Sequence, residues 1–213
     1  MKIFKRLIIA LGLKDLGLLL LGLMREFKTR HKWREIQKSG SVWLELGAGP
    51  KEGVNGWTTV DLNGGDIVYD LRKGIPLPNG SVDRIYTSHM LEHIPYKNLV
   101  SFIAECFRVL KKGGELSVCV PNAGFYINAY SKGDSFLDEK NYYEPARVDT
   151  GSLIDQVNYI AYMGGQHNYM FDEDNLIKTI KKSPFTLVEL RDFDPQLDLK
   201  SRDFESVYAR AIK

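Results

Sequence analysis

LGAGPKEGVNGWTTVDL, residues 46–62, joins two short apolar runs through a glycine-rich turn. The runs VWLEL (42–46) and WTTVD (57–61) read as strands, rich in aromatic and β-branched residues and bounded by Gly and Asn. Gly47 and Gly49 carry no Cβ, so the turn Gly47-Ala48-Gly49 lets backbone approach a ligand closely. A dinucleotide would rest its pyrophosphate on a helix opening directly after such a turn. Pro50, Gly53 and Gly56 leave little room for that helix, and the connection is near the lower limit for a crossover. The turn therefore speaks against a nicotinamide-dependent oxidoreductase.

Beyond it the pattern alternates. IVYD (67–70), VDRIYT (82–87) and ELSVCV (115–120) read as further strands. Leu99, Phe102, Ile103, Cys106 and Leu110 follow helical spacing, and Lys111-Lys112-Gly113-Gly114 is expected to close that helix. Asp172 caps a helix expected to reach about Lys182; TLVELRDF (186–193) and SVYARAIK (206–213) are the last two strands. Strands alternating with helices predict an α/β sheet with its ligand at the carboxyl ends of the strands.

Three acids stand there. Glu45 precedes the turn, Asp61 ends the second strand and Asp70 ends the third. One Asp at a strand end is an ordinary turn former. Three around one cleft suit a ligand with hydroxyls, an amine and positive charge, and S-adenosylmethionine has all of these.

At these residues the chain resembles class I S-adenosylmethionine-dependent methyltransferases. The likeness runs through LELGAGP (44–50), VDL (60–62), YDLRKGIPLPNGSVDRIYTSHMLEHIP (69–95) and RVLKKGGELSVCVPN (108–122), and extends through GGQHNYMFDEDNLIKTIKKSPF (164–185). It is nearest to small bacterial methyltransferases associated with sugar and surface-polysaccharide biosynthesis, which share the short first crossover. The resemblance implies a Rossmann-like α/β fold: a seven-stranded sheet, mostly parallel with the last strand antiparallel, helices on both faces, and a helical insertion after the fifth strand. It implies Glu45, Gly47, Ala48 and Gly49 around the methionyl part of the cofactor. Asp61 and Leu62 would lie at the ribose, Asp70 and Leu71 beside the adenine, and Ser88 and His89 near the reacting end. Pro50 stands where many members have a third glycine.

His89-Met90-Leu91-Glu92-His93 has the H-x-x-E-H form of an inverted zinc-protease motif. That motif needs a long helix, whereas this one follows a strand at once and meets Pro95. Some class I O-methyltransferases, among them ubiquinone-pathway enzymes and small-RNA 2′-O-methyltransferases, carry E-x-x-E-H after the same strand and bind a divalent metal. The chain resembles them with His89 in place of the first Glu. That makes His89, Glu92, His93 and His167 candidate metal ligands. Without a metal, His89, His93 and His167 are candidate catalytic residues, one serving as general base. The plainer readings are a hydrogen-bonded core His93 and a loop His167 that caps the following helix.

Residues 122–170 break the strand–helix rhythm and form an insertion, a lid or substrate wall. It holds seven of the eleven tyrosines (126, 130, 142, 143, 159, 162 and 169), with Asn128, Asn141, Asn158, Gln166 and Asn168. Rings that stack on sugar faces and amides that bond hydroxyls point to a glycan or other small-molecule acceptor. Tyr159 and Tyr162 also read as half-packed, half-wet helix positions.

Residues 1–40 form a basic, apolar extension to the 41–213 domain. They carry ten Lys/Arg against three acids, a net +7, while the remainder carries 19 against 24. LIIALGLKDLGLLLLGLM (7–24) is interrupted by Lys14 and Asp15, which makes it marginal as a spanning helix. It reads equally as a helix lying in an anionic membrane surface and as one packed on its own domain or on a second subunit of a homodimer. No cleavable signal is evident. The basic stretch 25–38 suits phosphates, yet the domain with the cleft is net acidic, so nucleic acid ranks below a glycan as acceptor. Cys106 and Cys119 lie in apolar contexts and read as buried thiols of a cytoplasmic protein, with membrane association through the extension the alternative to a free one.

Overall fold

The computed structural model describes residues 14–135 and 143–213. The chain divides into two compact units between Gly40 and Ser41. The first contains helix α1 (Lys14–Lys38), whose Leu18, Leu19, Leu20, Leu23, Met24 and Phe27 are exposed. No helix among the described residues is long and apolar enough to cross a membrane. The apolar run 7–24 lies partly outside the described residues.

The second unit is built on a seven-stranded sheet. Its strands are β1 (Trp43–Leu46), β2 (Trp57–Asp61), β3 (Ile67–Val68), β4 (Val82–Ser88), β5 (Leu110–Pro121), β6 (Leu187–Leu190) and β7 (Ser206–Ile212). The order is β3-β2-β1-β4-β5-β7-β6. Strands β1 to β5 pair in parallel, and β7 runs antiparallel to both β5 and β6. Successive side chains of a strand face opposite ways. Leu44, Leu46, Ile85, Leu116 and Val118 thus share the face that carries the core, where Leu99, Ile103 and Cys106 of α2 (Tyr96–Val109) are also buried. The other face bears Tyr86, Cys119 and Tyr208, packed with Trp57, Phe193 and Leu197.

The first crossover holds no helix. One carboxylate organises it instead: Asp66 Oδ2 accepts from Gly53 N at 3.0 Å, Thr59 N at 2.9 Å and Thr59 Oγ1 at 3.0 Å. Gly53 is obligatory there, since a Cβ would stand 1.9 Å from Trp57 O.

Several element boundaries differ from the sequence reading. Helix α2 ends at Val109 and β5 begins at Leu110, so Lys111–Gly114 extend the strand instead of capping the helix. Leu110 pairs with Val82 in the ladder, and Lys111 Nζ bonds both oxygens of Asp83 at 2.8 Å. The third strand stops at Val68, because Asp70 turns to accept Arg72 N and starts a 3-10 turn at Leu71–Lys73. Strand β6 stops at Leu190; Arg191 then turns onto Asp198, with Nη1 to Oδ2 at 2.6 Å and Nη2 to Oδ1 at 2.8 Å.

The insertion contains α3 (Ala123–Lys132) and α4 (Ile154–Tyr162), packed through Ala123, Tyr126, Tyr159 and Ile160. Asn141 and Tyr142 lie outside the described residues. Helix α5 (Glu173–Ile180) opens on a reciprocal capping box between Asp172 and Asn175 and ends two residues short of Lys182. Cys106 and Cys119 are free and buried, and burial pushes the Cys119 thiol up to about 11.

Candidate active site

Parallel strands bring Gly47, Asp61 and Asp70 to one edge of the sheet. Gly47 has φ +75°, donates its N–H to Val60 O at 2.8 Å, and passes so close to Met90 that a Cβ would stand 2.2 Å from Met90 Cγ. The Asp61 carboxylate accepts from Gly49 N at 3.0 Å through Oδ2 and from Asn63 N at 2.8 Å through Oδ1. A cavity of about 560 Å³ opens over this turn. Of the sequence-predicted residues, Gly47, Asp61, Leu62, Asp70, Leu71 and His93 line it. Tyr69, Met90, Lys97, Asn98, Ser101 and Glu105 line it too, and the sequence reading missed them. Four of these six sit on or beside the exposed side of α2, where only the helical period signals them.

Glu45 is placed elsewhere. With Leu44 and Leu46 in the core, strand alternation turns it to the other face, where it pairs with Lys51 at 2.5 Å and lines a separate hollow with Trp43, Trp57 and Arg84. Ala48, Gly49, Ser88 and His89 do not border the cavity. Ser88 is partnered with Cys119 across the β4–β5 ladder. His89, at φ +48°, donates its N–H to Cys119 O at 2.9 Å. Its Nε2 lies 2.9 Å from Ser206 Oγ, whose own proton goes to Arg202 O at 2.7 Å. His89 Nε2 is therefore the donor. Burial pushes its pKa down to about 3, with Arg202, His167 and His93 adding to the effect.

The H-x-x-E-H residues form a three-residue 3-10 turn, Leu91–His93, and no long helix. The segment Gln166–Tyr169 is stitched to this turn. Asn168 N and Tyr169 N donate to Glu92 O at 2.7 and 3.2 Å, Asn168 Nδ2 donates to His93 O at 2.9 Å, and His93 Nδ1 lies 3.0 Å from Gln166 O. The stitching sets the His93 and His167 rings 5.0 Å apart at 70°. His167 is buried, its Nδ1 lies 2.7 Å from Ile160 O, and burial moves its pKa down. Glu92 is 2% exposed, and burial raises its carboxyl to about 8. Of the four candidate ligands, Glu92, His93 and His167 gather, whereas His89 is tied to Ser206.

His167 also borders a second hollow, of about 460 Å³, walled by Ile127, Tyr162, Tyr169, Met170 and Phe171. Tyr126 and Tyr159 are core residues: the Tyr126 hydroxyl bonds Glu205, and the Tyr159 hydroxyl accepts from Tyr143 N at 3.0 Å. Tyr162 on the same helix is 63% exposed, so only the outer tyrosines are available to a ligand.

Strand order, the single antiparallel strand and the position of the cavity define a Rossmann-like methyltransferase fold. Residues 52–118 match the family described as a methyltransferase domain. A curated relative from Mycolicibacterium smegmatis, described as a probable S-adenosylmethionine-dependent methyltransferase, is 40% identical over 57 residues. The match takes in 25% of this chain, and the chain spans about a fifth (21%) of that relative. Among solved structures, the complex between the Haloferax volcanii Trm112 methyltransferase activator and a methyltransferase includes a similar chain. It has TM-score 0.50 and 11% identity, with 96% of this chain and 95% of that one covered. An Archaeoglobus fulgidus SAM-dependent methyltransferase superposes with TM-score 0.48 and 14% identity over 89% of this chain and 94% of its own.

Proposed function

We propose that this chain moves the methyl group of S-adenosylmethionine onto a hydroxyl of a sugar, glycan or other small acceptor. The observation that carries the reading is the cavity itself. Gly47 forms its floor against Met90, Asp61 reaches it from the end of β2 and Asp70 from the turn after β3. That set suits a ribose diol, an adenine amine and a cationic centre.

Transfer from a sulfonium is an in-line displacement: the S–C bond breaks as the O–C bond forms, leaving S-adenosylhomocysteine. Alignment and exclusion of water supply much of the acceleration. The hydroxyl proton needs an acceptor. His93 borders the cavity, and its Nδ1 is engaged with the Gln166 carbonyl, which leaves Nε2 with a lone pair. His93 Nε2 takes the proton in this reading when no cation holds its lone pair. The hollow beside His167, with Tyr162, Tyr169 and Asn168 on its walls, is the acceptor's side. A divalent cation near Glu92 is a second means of lowering the hydroxyl's pKa. The basic, leucine-rich α1 supports a reading in which the acceptor is held at an anionic membrane surface.

Calorimetric titration of EDTA-treated protein with S-adenosylhomocysteine, with NAD as control, tests the cofactor. Binding of the homocysteine compound alone is the expected result. No binding, or binding of NAD, overturns the reading.

A further inference from the structure

The hollow that receives Glu45 lies on the sheet face opposite α2, and it shares no lining residue with the cavity over the glycine turn. Its volume is about 900 Å³, within the range of small-ligand sites. Strand alternation supplies the floor: Trp57 of β2, Trp43 and Glu45 of β1, Arg84 of β4 and Ser117 of β5. The first crossover lays no helix over these side chains and forms one wall instead; residues 191–197 form the other.

A carboxylate pins each wall. Asp66 ties Gly53 to Thr59 in the first. In the second, buried Asp198 accepts from the Tyr86 hydroxyl at 2.9 Å, from Asp194 N at 2.8 Å and from both terminal nitrogens of Arg191. Arg191 Nε then reaches the buried Ser117 hydroxyl at 2.9 Å. The hollow is therefore shaped before a ligand arrives, which lowers the entropic cost of binding.

Its chemistry is selective. The half-buried Trp43 and Trp57 rings stand 5.6 Å apart at 53°. Parallel indoles would sandwich one flat aromatic ligand; tilted ones present two apolar faces in turn, which suits the C–H faces of successive sugar rings. The exposed Arg84 guanidinium lies over Trp43 with Cζ 5.0 Å from the ring centre, and it forms no ion pair among the described residues. Stacking holds it in place and leaves its N–H groups for hydroxyls. Other charges are matched: Glu45 with Lys51 at 2.5 Å, Arg191 with Asp198 at 2.6 Å and Arg210 with Glu189 at 2.5 Å. A charged ligand would break such a pair and strand a buried partner, which is costly. A hydroxyl donates and accepts at once, so it bridges a pair without breaking it.

We propose that this hollow binds a short neutral saccharide, stacked on Trp43 and Trp57 and hydrogen-bonded by Arg84 and the Glu45–Lys51 pair. The site stands independently of the methyl-transfer reading. Where both hold, a glycan acceptor has a second point of attachment, which raises its effective concentration at the first.

The full chain has three tryptophans, Trp33, Trp43 and Trp57, so indole N–H resonances report on the site directly. They are followed while maltotriose, cellotriose and mannotriose are added separately, with trimers of galacturonic acid and glucosamine as anionic and cationic controls. At least one neutral trisaccharide is expected to move the Trp43 and Trp57 signals saturably at millimolar concentration and to spare Trp33. The charged trimers bind more weakly. Arg84→Ala and Trp43→Leu each weaken binding about fivefold or more; the first alters an exposed side chain and leaves the melting temperature unchanged. Three results overturn the proposal: no neutral trisaccharide moves the two indoles, a charged trimer binds as tightly or more tightly, or Arg84→Ala leaves the affinity unchanged. Homocysteine-compound binding is measured on the same samples: its absence with the saccharide shifts retained removes the methyl-transfer reading and leaves this site standing.

Discussion

The His93 and His167 rings stand 5.0 Å apart at 70° although 73 residues separate them in the chain. Hydrogen bonds from Asn168 and Tyr169 to the 92–93 turn, and from His93 Nδ1 to the Gln166 carbonyl, make that meeting. The insertion is thereby fixed to the sheet edge next to the cavity over the glycine turn. Its histidine joins a site whose other members follow β4 directly.

Gly47→Ala tests the floor of the cavity. The new methyl has two faults, a left-handed φ of +75° and overlap with Met90 Cγ at 2.2 Å. Strain and overpacking together are expected to cost about 2–4 kcal/mol of stability and to abolish binding of S-adenosylhomocysteine. Adding Met90→Ala removes the overlap but not the strain, so the double variant recovers part of the loss. Thermal melts and calorimetry read both. Full binding by Gly47→Ala would mean that the ligand does not lie on this turn.

Much of this was legible in the chain, for physical reasons. The close approach at Gly47 was legible because few other residues fit there, and the turn at Asp61 because an acid closes an apolar strand run. All seven strands were visible from composition and turn residues. The ends of α2, β3 and β6 were not, because each is decided by a partner distant in sequence or a turn the period does not show: Val82 for Leu110, Arg72 for Asp70, Asp198 for Arg191. Glu45 shows the same limit from the other side. Its position next to the glycine turn is plain in sequence, but strand alternation sends its carboxylate to the opposite face of the sheet. Likewise nothing local announces that His89 turns to Ser206 while His93, four residues on, meets His167.

That difference between two acids is measurable. Asp61→Ala deprives the Gly49 and Asn63 amides of their acceptor and removes a carboxylate from the cavity. Affinity for S-adenosylhomocysteine is expected to fall at least tenfold, about 1.4 kcal/mol or more. Glu45→Gln, in the separate hollow, is expected to leave affinity within about twofold. An equal loss in both variants would contradict the placement of Glu45 away from the ligand.

Acid should loosen the α2 side of the cavity through Glu105. Its carboxylate accepts from Arg108 Nε at 2.8 Å, Arg108 Nη2 at 2.9 Å and Ile75 N at 3.1 Å, tying α2 to the loop after β3. The Arg108 guanidinium holds the carboxyl below its ordinary 4.5 against the opposing effect of burial. The unfolded chain therefore takes up the proton first as pH falls. The stabilisation is complete above about pH 4.5 and is lost progressively as pH drops through the lower folded-state value. Glu105→Gln is expected to cost about 1–2 kcal/mol at neutral pH in urea denaturation. The gap between variant and parent should close in acid. A gap that is constant with pH would show that the carboxylate's charge plays no part.

Helix α1 gives the last test. Leu18, Leu19, Leu20, Leu23, Met24 and Phe27 are exposed on a segment of strong positive charge. Apolar insertion and attraction to anionic headgroups would act together there, and only the second is screened by salt. The full chain is expected to co-sediment with vesicles rich in phosphatidylserine or phosphatidylglycerol, less with neutral vesicles, and less again as salt rises. Leu19→Glu combined with Leu23→Glu should abolish co-sedimentation while leaving S-adenosylhomocysteine affinity unchanged, because neither residue lines the cavity proposed for it. If the full chain instead ignores vesicles and runs as a dimer that the same pair of substitutions dissociates, the leucines are buried against a second copy and the membrane reading fails.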